Sequence, residues 1–542
     1  MGLYLNPGNE AFRIAVSSEI YVDKSEMISF INQRLRQDKR YICVSRPRRF
    51  GKSTAANMLM AYYDRGCDSE ELFQKCKIAK DKTFAEQLNQ HDVIYINVQQ
   101  FLRKVNSLSD LGKCIESAIL DDLKDAYAVY LEDKCYTLPD ALAVIYSKET
   151  RAKKGFIFIV DEWDCLFRIA KDDTAAQKAY LDFLRDLFKD RTYVTLAYMT
   201  GILPIKKYGT QKVNSDKVGR ETRLGGSAIN IFDEYSMMNP KELAEYAGFT
   251  EQEVKDLCQR FKMDFEDVQS WYDGYQFTNH LSIYNPKSVV DAMLNREFDS
   301  YWTETETYEA LKIYIEMDFD GLKTAIITML GGGRCRVNSR KFQNDMTTFK
   351  TKDDVLTLLV HLGYLAYDKG SQEVYIPNQE IATEFMNAIV DPAWDGVIQA
   401  TAQSKALVDA TWNMDAKAVA EGMDVIHTET TSLLEYNDEN SLACSVFMAY
   451  YSTKAYYMPP IRELPTGKGF ADIVYLPRRE MNHPALLIEL KWDKTAESAL
   501  QQIKDKTYVE ALKNYTGDIL LIGINYNKKD KKHQCRIERY KL

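Results

Sequence analysis

Paired cysteines are absent. The ten cysteines run from Cys43 to Cys535 without one C-x-x-C pair, and only His533, beside Cys535, lies near one. This excludes a sequence-local zinc ribbon or disulfide framework and predicts reduced thiols. Glycine (25) and proline (13) are too few in 542 residues for a low-complexity chain, while 45% hydrophobic and 27% charged residues are enough for ample folded core. Long apolar runs are also missing: stretches such as Phe156-Ile157-Phe158-Ile159-Val160 are strand-sized, far below the roughly 20 residues of a membrane span. Met1-Gly2-Leu3-Tyr4-Leu5-Asn6-Pro7 has neither the basic start nor the apolar stretch of a secretory signal, so a cytoplasmic location is expected. Excess positive charge is lacking too. A formal net charge of −9 argues against coating nucleic acid by bulk electrostatics, so any such binding must be local. One local candidate is Lys528-Lys529-Asp530-Lys531-Lys532-His533, set against the ordinary reading of a solvated lysine loop.

A chain of this length implies about three domains, expected at 1–238, 239–395 and 396–542. In the first, Tyr41-Ile42-Cys43-Val44, Val93 to Val98, Phe156 to Val160 and Tyr193 to Met199 read as buried strands alternating with helical segments, the pattern of a mainly parallel, helix-covered α/β sheet. After Asn239-Pro240 the pattern turns helical, as a lid would. A helix over Asp353 to Leu362, strands around Tyr364 to Tyr367 and Glu373 to Ile376, and a helix from Asn378 suggest a winged-helix-like middle region. The last region has helices, then strands over Phe470 to Tyr475 and Ala485 to Leu490, a helix over Ala496 to Leu512, and a strand from Asp518 to Ile524.

Two constellations carry chemistry. Strand Tyr41 to Val44 runs through Arg46-Pro47-Arg48-Arg49-Phe50-Gly51-Lys52-Ser53-Thr54 into a strongly helix-forming segment, the context in which G-K-[ST] cradles phosphate. Backbone N–H groups attract the phosphates, Lys52 supplies positive charge, and the Ser53 hydroxyl ligates Mg²⁺. Arg46 stands where the general pattern has glycine. About a hundred residues later the next buried strand ends in Asp161-Glu162-Trp163-Asp164. Asp161 there suits Mg²⁺ and Glu162 suits polarising a water. Thr200 ends the following strand, in a γ-phosphate-sensing position, and Lys206, Lys207, Arg220 and Arg223 follow it.

The second constellation is Asp472 within an apolar strand, with Glu489 and Lys491 two apart on one face of the next. Two carboxylates there can bind Mg²⁺ or Mn²⁺ beside a scissile phosphate, with the lysine countering developing charge. Gln502 and Lys506 lie on the helix that follows. Glu439, in the helical segment before, is favoured over Glu463, in the loop before the Asp strand, to complete the metal shell.

Together the two sites resemble the AAA-ATPase-like family whose members carry a C-terminal PD-(D/E)xK nuclease-superfamily domain. The loop from Ser45 to Ser53 carries the likeness, with Tyr21-Val22-Asp23-Lys24, Asp161-Glu162-Trp163-Asp164, Gly201 to Lys207, Trp271-Tyr272-Asp273-Gly274-Tyr275, Tyr284-Asn285-Pro286, Gly467 to Asp472 and Ile488 to Lys491. Arg46 is normal within that pattern, whereas Lys212 to Arg223 looks longer than it. The resemblance implies a P-loop NTPase domain with a helical lid and a restriction-endonuclease-like α/β domain. It implies ATP bound by Arg49, Phe50, Gly51, Lys52, Ser53, Thr54, Asp161 and Thr200; Mg²⁺ at Ser53 and Asp161; and a second metal at Asp472, Glu489 and Glu439. Glu162, Asp472, Glu489 and Lys491 would be catalytic in a prokaryotic, cytoplasmic ATPase–nuclease acting on DNA or RNA in conflict with mobile elements, a biological role that fold and family do not fix. A homo-oligomer stays open. So does an ATP-driven switch whose last domain only binds nucleic acid or a protein.

Overall fold

The structure, a computed structural model, describes residues 2–131, 136–149, 154–205, 231–277, 281–302, 311, 313–315, 319, 321–339, 342, 349–388, 395–430, 439–458, 460–465, 470–478, 481–505, 515 and 517–540. The chain divides into two compact units, Met1–Phe298 with Asn338–Lys369, and Asp299–Val337 with Gly370–Leu542. The helix–strand–strand–helix order expected in the middle is present as Lys352–Leu362, Ala366–Asp368, Glu373–Tyr375 and Gln379–Ala388. The division between units falls after its first strand.

The first unit is built on β1 (Tyr41–Ser45), α1 (Lys52–Tyr63), β2 (Asp92–Asn97), β3 (Phe156–Asp161), α2 (Cys165–Ile169), β4 (Val194–Gly201) and β5 (Asp233–Tyr235). Its five strands pair in parallel in the order β2-β3-β4-β1-β5. β1, β3 and β4 are buried along their whole length, which is why they read as continuous apolar runs. The adjacent C-terminal ends of β1, β3 and β4 bring the phosphate loop, Asp161 and Thr200 together, although some 150 residues separate them in sequence. A second, three-stranded sheet comprises β6 (Phe249–Thr250), β7 (Tyr275–Phe277) and β8 (Leu281–Tyr284), and α3 (Lys352–Leu362) belongs to the same unit.

The second unit holds α4 (Asp395–Trp412), α5 (Ala416–Thr430) and α6 (Glu439–Ala449). After them come β9 (Ile461–Pro465), β10 (Phe470–Tyr475), β11 (Ala485–Trp492), α7 (Ala496–Asp505), β12 (Ile519–Asn527) and β13 (Lys532–Tyr540). The sheet runs β9-β10-β11-β12-β13, with β11 and β12 parallel and the other pairs antiparallel. Two strands of this sheet depart from the sequence reading, and in the first unit β6, β7 and β8 lie where it expected helices. Glu463, expected in a loop, lies on β9, and the lysine-rich tail is the turn into β13. β13 was unreadable because its exposed edge alternates charged residues with few apolar ones. One face of this sheet packs Val474, Ala485, Leu487, Ile519 and Leu521 against Leu500 and Ile503 of α7. Gly523 continues that face: a Cβ there would lie 2.5 Å from the Ala496 carbonyl oxygen, so the missing side chain lets α7 approach the strand.

Candidate functional site

The phosphate loop leaves β1 through Arg46, whose backbone N–H extends the β1–β4 ladder by donating to Gly201 O at 3.0 Å. The Arg46 side chain is fully buried and donates to Ser45 O (2.9 Å), Tyr235 O (2.7 Å) and Leu243 O (3.5 Å), with its guanidinium 5.3 Å from the Phe277 ring. Burial presses its pKa down to about 10. The residue replacing the loop glycine therefore acts as an internal clamp, tying the loop to β5 and the segment after it. Phe50 is buried as well and meets Tyr275 edge-on at 5.4 Å, while Tyr275 donates its hydroxyl to Gly363 O at 2.5 Å. Two segments of the sequence resemblance, the loop and Trp271 to Tyr275, thus touch.

Gly51 sits at φ +80° as the N-cap of α1, with no side chain capping the helix. The N–H groups of its first turn are the donors a phosphate would use. Arg49 is also at positive φ, +69°. Lys52 is only 5% exposed and donates to Pro47 O at 2.8 Å. Burial lowers its pKa, and the carboxylates of Glu162, Asp161 and Asp164 work against that shift. Ser53 and Thr54, the next two residues of α1, are exposed.

Asp161 joins three elements. Ser53 Oγ donates to its Oδ2 at 2.8 Å, and buried Thr200 donates to its Oδ1. Glu162 has φ +55° and an ion pair with Arg168 of α2, which also holds Asp164 at 3.1 Å. Burial opposes the Arg168 charge, but Asp164 and Glu162 outweigh it and keep its pKa above the ordinary value. Asp164 in turn accepts from the backbone N–H groups of Ile202 (3.2 Å) and Leu203 (2.9 Å) at the end of β4. Arg168 was missed from the sequence; its spacing of four from Asp164 on a helix was the available signal. Lys206, Lys207, Arg220 and Arg223 lie outside the described residues.

In the second unit, β10 and β11 pair Ile473 with Ile488 and Val474 with Leu487, which sets Asp472 across from Glu489. Asp472 Oδ2 accepts the Leu490 N–H at 2.7 Å. Glu489 is 1% exposed, and its Oε1 accepts from Lys491 Nζ at 2.8 Å and from Gln502 of α7. Lys491, 7% exposed, also donates to Leu490 O at 3.1 Å. The three residues read from the sequence converge on the α7 face, and Gln502 joins them because Gly523 admits the helix. Glu439 begins α6, but its side chain, like that of Glu463, lies outside the described residues, as does Lys506. Among the described residues no group of three or more His, Cys, Asp or Glu is gathered for a metal. Asp472 and Glu489 nevertheless fit a hard divalent cation: both offer carboxylate oxygens, on adjacent strands, with a buried lysine beside them.

The arrangement defines a chain with a phosphate-loop-like strand–loop–helix in one unit and a carboxylate–lysine cluster in the other. Residues 9–210 match the AAA-ATPase-like family, described as a predicted AAA-ATPase. Residues 437–535 match the PD-(D/E)XK nuclease superfamily. The chain is 22% identical over 548 residues, 94% of its own length and 93% of the other's, to an uncharacterized protein in the vnfD 5′ region of Azotobacter chroococcum mcd 1. Among solved structures, a Walker-type ATPase of Pyrococcus abyssi aligns with TM-score 0.31 and 13% identity, over 67% of this chain and 94% of that one. Cdc6p of Pyrobaculum aerophilum aligns with TM-score 0.24 and 11% identity, over 70% of this chain and 97% of its own. No helix among the described residues is long and apolar enough to cross a membrane.

Proposed function

We propose that this chain hydrolyses ATP in its first unit and, under the control of that nucleotide, cleaves phosphodiesters of DNA or RNA in its second. The observation that carries the reading is the convergence of Asp472, Glu489 and Lys491 on one sheet face, in a chain that also presents Lys52, Ser53 and Asp161 at an uncapped helix N-terminus.

At the first site the N–H groups of Arg49, Phe50 and Gly51 and of the start of α1 receive the phosphates, and Lys52 balances their charge. Ser53 and Asp161 would hold Mg²⁺; they already share a hydrogen bond, so both oxygens face one point. Thr200 orients Asp161 and lies where a γ-phosphate can be read. Glu162 is the base for the attacking water, held by Arg168 until the site closes. At the second site Asp472 and Glu489, with Glu439 as the third carboxylate, would hold Mg²⁺ or Mn²⁺. Such a metal polarises a phosphoryl oxygen and lowers the pKa of bound water. Lys491 counters charge on the phosphate under attack, and Gln502 keeps Glu489 in place.

The test is a cleavage assay of the full chain on single- and double-stranded DNA and RNA, with and without ATP and Mg²⁺. Asp472→Ala and Lys491→Ala should abolish cleavage, and Lys52→Ala and Glu162→Gln should abolish ATP turnover. Cleavage retained by both second-unit variants would exclude that site. An ATP-driven switch that only binds is the alternative, favoured by one detail: Glu489 Oε1 already accepts two nitrogen donors. It expects nucleotide-sensitive binding and no metal-dependent cleavage.

A further inference from the structure

The polar face that carries Asp472, Glu489 and Lys491 continues beyond them. β11 and β12 run parallel with Lys491 in register with Asn525, so the two side chains share the α7 face, one strand apart. Asn525 is fully buried. Its Oδ1 accepts the Lys494 N–H at 2.9 Å, while its amide nitrogen finds no acceptor among the described residues. A buried donor without an acceptor costs stability unless something else receives it. Beside a lysine meant for phosphate, a phosphoryl oxygen is the natural acceptor.

Three residues past Asn525, β12 turns into β13 through Lys528-Lys529-Asp530-Lys531. Lys528, Lys529 and Lys531 are exposed. Among the described residues none of these three pairs with a carboxylate, whereas neighbouring Lys532 meets Asp424 at 3.3 Å. The lysine side chains do not build the turn. Asn527 Oδ1 accepts from the N–H groups of Lys529 (2.9 Å) and Asp530 (3.3 Å), and Asp493 accepts from that of Lys528 (2.7 Å). At about 3.3 Å per residue the first lysine stands roughly 10 Å along the strand from Asn525. That is about the axial rise of three phosphates on one strand of a duplex.

We propose that β12 and its turn form a track for a phosphodiester backbone: Asn525 donates to the phosphate at the Lys491 site, and Lys528, Lys529 and Lys531 take those that follow. The track rests on the phosphodiesterase reading for its substrate class. The shared chemistry is the backbone of DNA or RNA.

Fluorescence anisotropy of the full chain in EDTA, with labelled single-stranded DNA, duplex DNA and RNA of one sequence, tests it without cleavage. Lys528→Glu/Lys529→Glu/Lys531→Glu should weaken binding at least about tenfold and flatten the slope of log affinity against log salt by about 2–3. Asn525→Asp keeps the acceptor for Lys494 and removes the donor; the buried carboxylate lowers the melting temperature, so binding is read well below it and should be several-fold weaker. The strand type most weakened by the triple change identifies the physiological backbone. Binding by both variants at the wild-type level and salt slope overturns the track. Weakened binding of the variants, together with a wild type that never cuts with Mg²⁺, supports the track and overturns the phosphodiesterase. A wild type that binds none of the three probes overturns both.

Discussion

Each unit buries one lysine at its candidate site, Lys52 at 5% and Lys491 at 7% exposure, and the two are solvated by the protein in different ways. Lys52 donates to the carbonyl of Pro47, while the carboxylates around it have their own partners: Asp161 takes Ser53 and Thr200, and Glu162 and Asp164 take Arg168. Lys491 is bonded directly to a carboxylate, Glu489, itself almost wholly buried. On the proposed reading the first is a cation kept for charge that a ligand brings; the second is half of an internal pair. Equal burial therefore predicts unequal consequences of removal.

The largest effect belongs to Lys491→Met. It takes the Lys491 ammonium away from buried Glu489, and breaking a buried pair from one side costs about 3–5 kcal/mol. Chemical denaturation should report that loss, alongside a fall in cleavage of order 10²–10⁴. Lys52→Met strands no carboxylate. Its stability should stay level or rise, while ATP turnover drops by roughly 10²–10³. Calorimetric titration with ATP and thermal unfolding measure the two together. Equal destabilisation by Lys52→Met and Lys491→Met would collapse the distinction.

Arg46→Gly, which restores the general loop pattern, breaks the comparison from another side. It removes the donors to Tyr235 O and Leu243 O and opens space beneath Phe277, at a cost of about 2–4 kcal/mol. ATP affinity, measured well below the melting temperature, should change less than in Lys52→Met. A variant with normal stability and lost ATP binding would make Arg46 a phosphate ligand instead of a clamp.

The three buried parallel strands that build the first site, β1, β3 and β4, were legible because each is an apolar run leading into a functional residue, so position along the strand and position in the site coincide. Asp472, Glu489 and Lys491 were legible through the two-residue period of a strand. What stayed hidden depended on register and on packing between distant segments. Gln502 reaches Glu489 only because Gly523 lies under α7, and Arg46 finds two of its acceptors, Tyr235 O and Leu243 O, 189 and 197 residues away. β13 was hidden by its own solubility, since an edge strand rich in lysine, arginine and glutamate has the composition of a loop.

Two glycines give the smallest and sharpest contrast. Gly51 has φ +80° with nothing within 4 Å of a added Cβ, so Gly51→Ala meets only the backbone penalty of the left-handed region, roughly 1–2 kcal/mol. Gly523 is constrained by space. Its Cβ would lie 2.5 Å from Ala496 O and 3.0 Å from Ala499 Cβ, so Gly523→Ala must push α7 outward, at about 1–3 kcal/mol. The expected stability losses overlap, but the activities separate. Displacing α7 withdraws Gln502 from Glu489 and should lower cleavage while ATP turnover holds; Gly51→Ala should lower ATP affinity while metal-dependent cleavage without nucleotide holds. Parallel assays of the two variants decide the matter, and a Gly523→Ala protein that cuts at the wild-type rate would mean that Gln502 does not position the carboxylate.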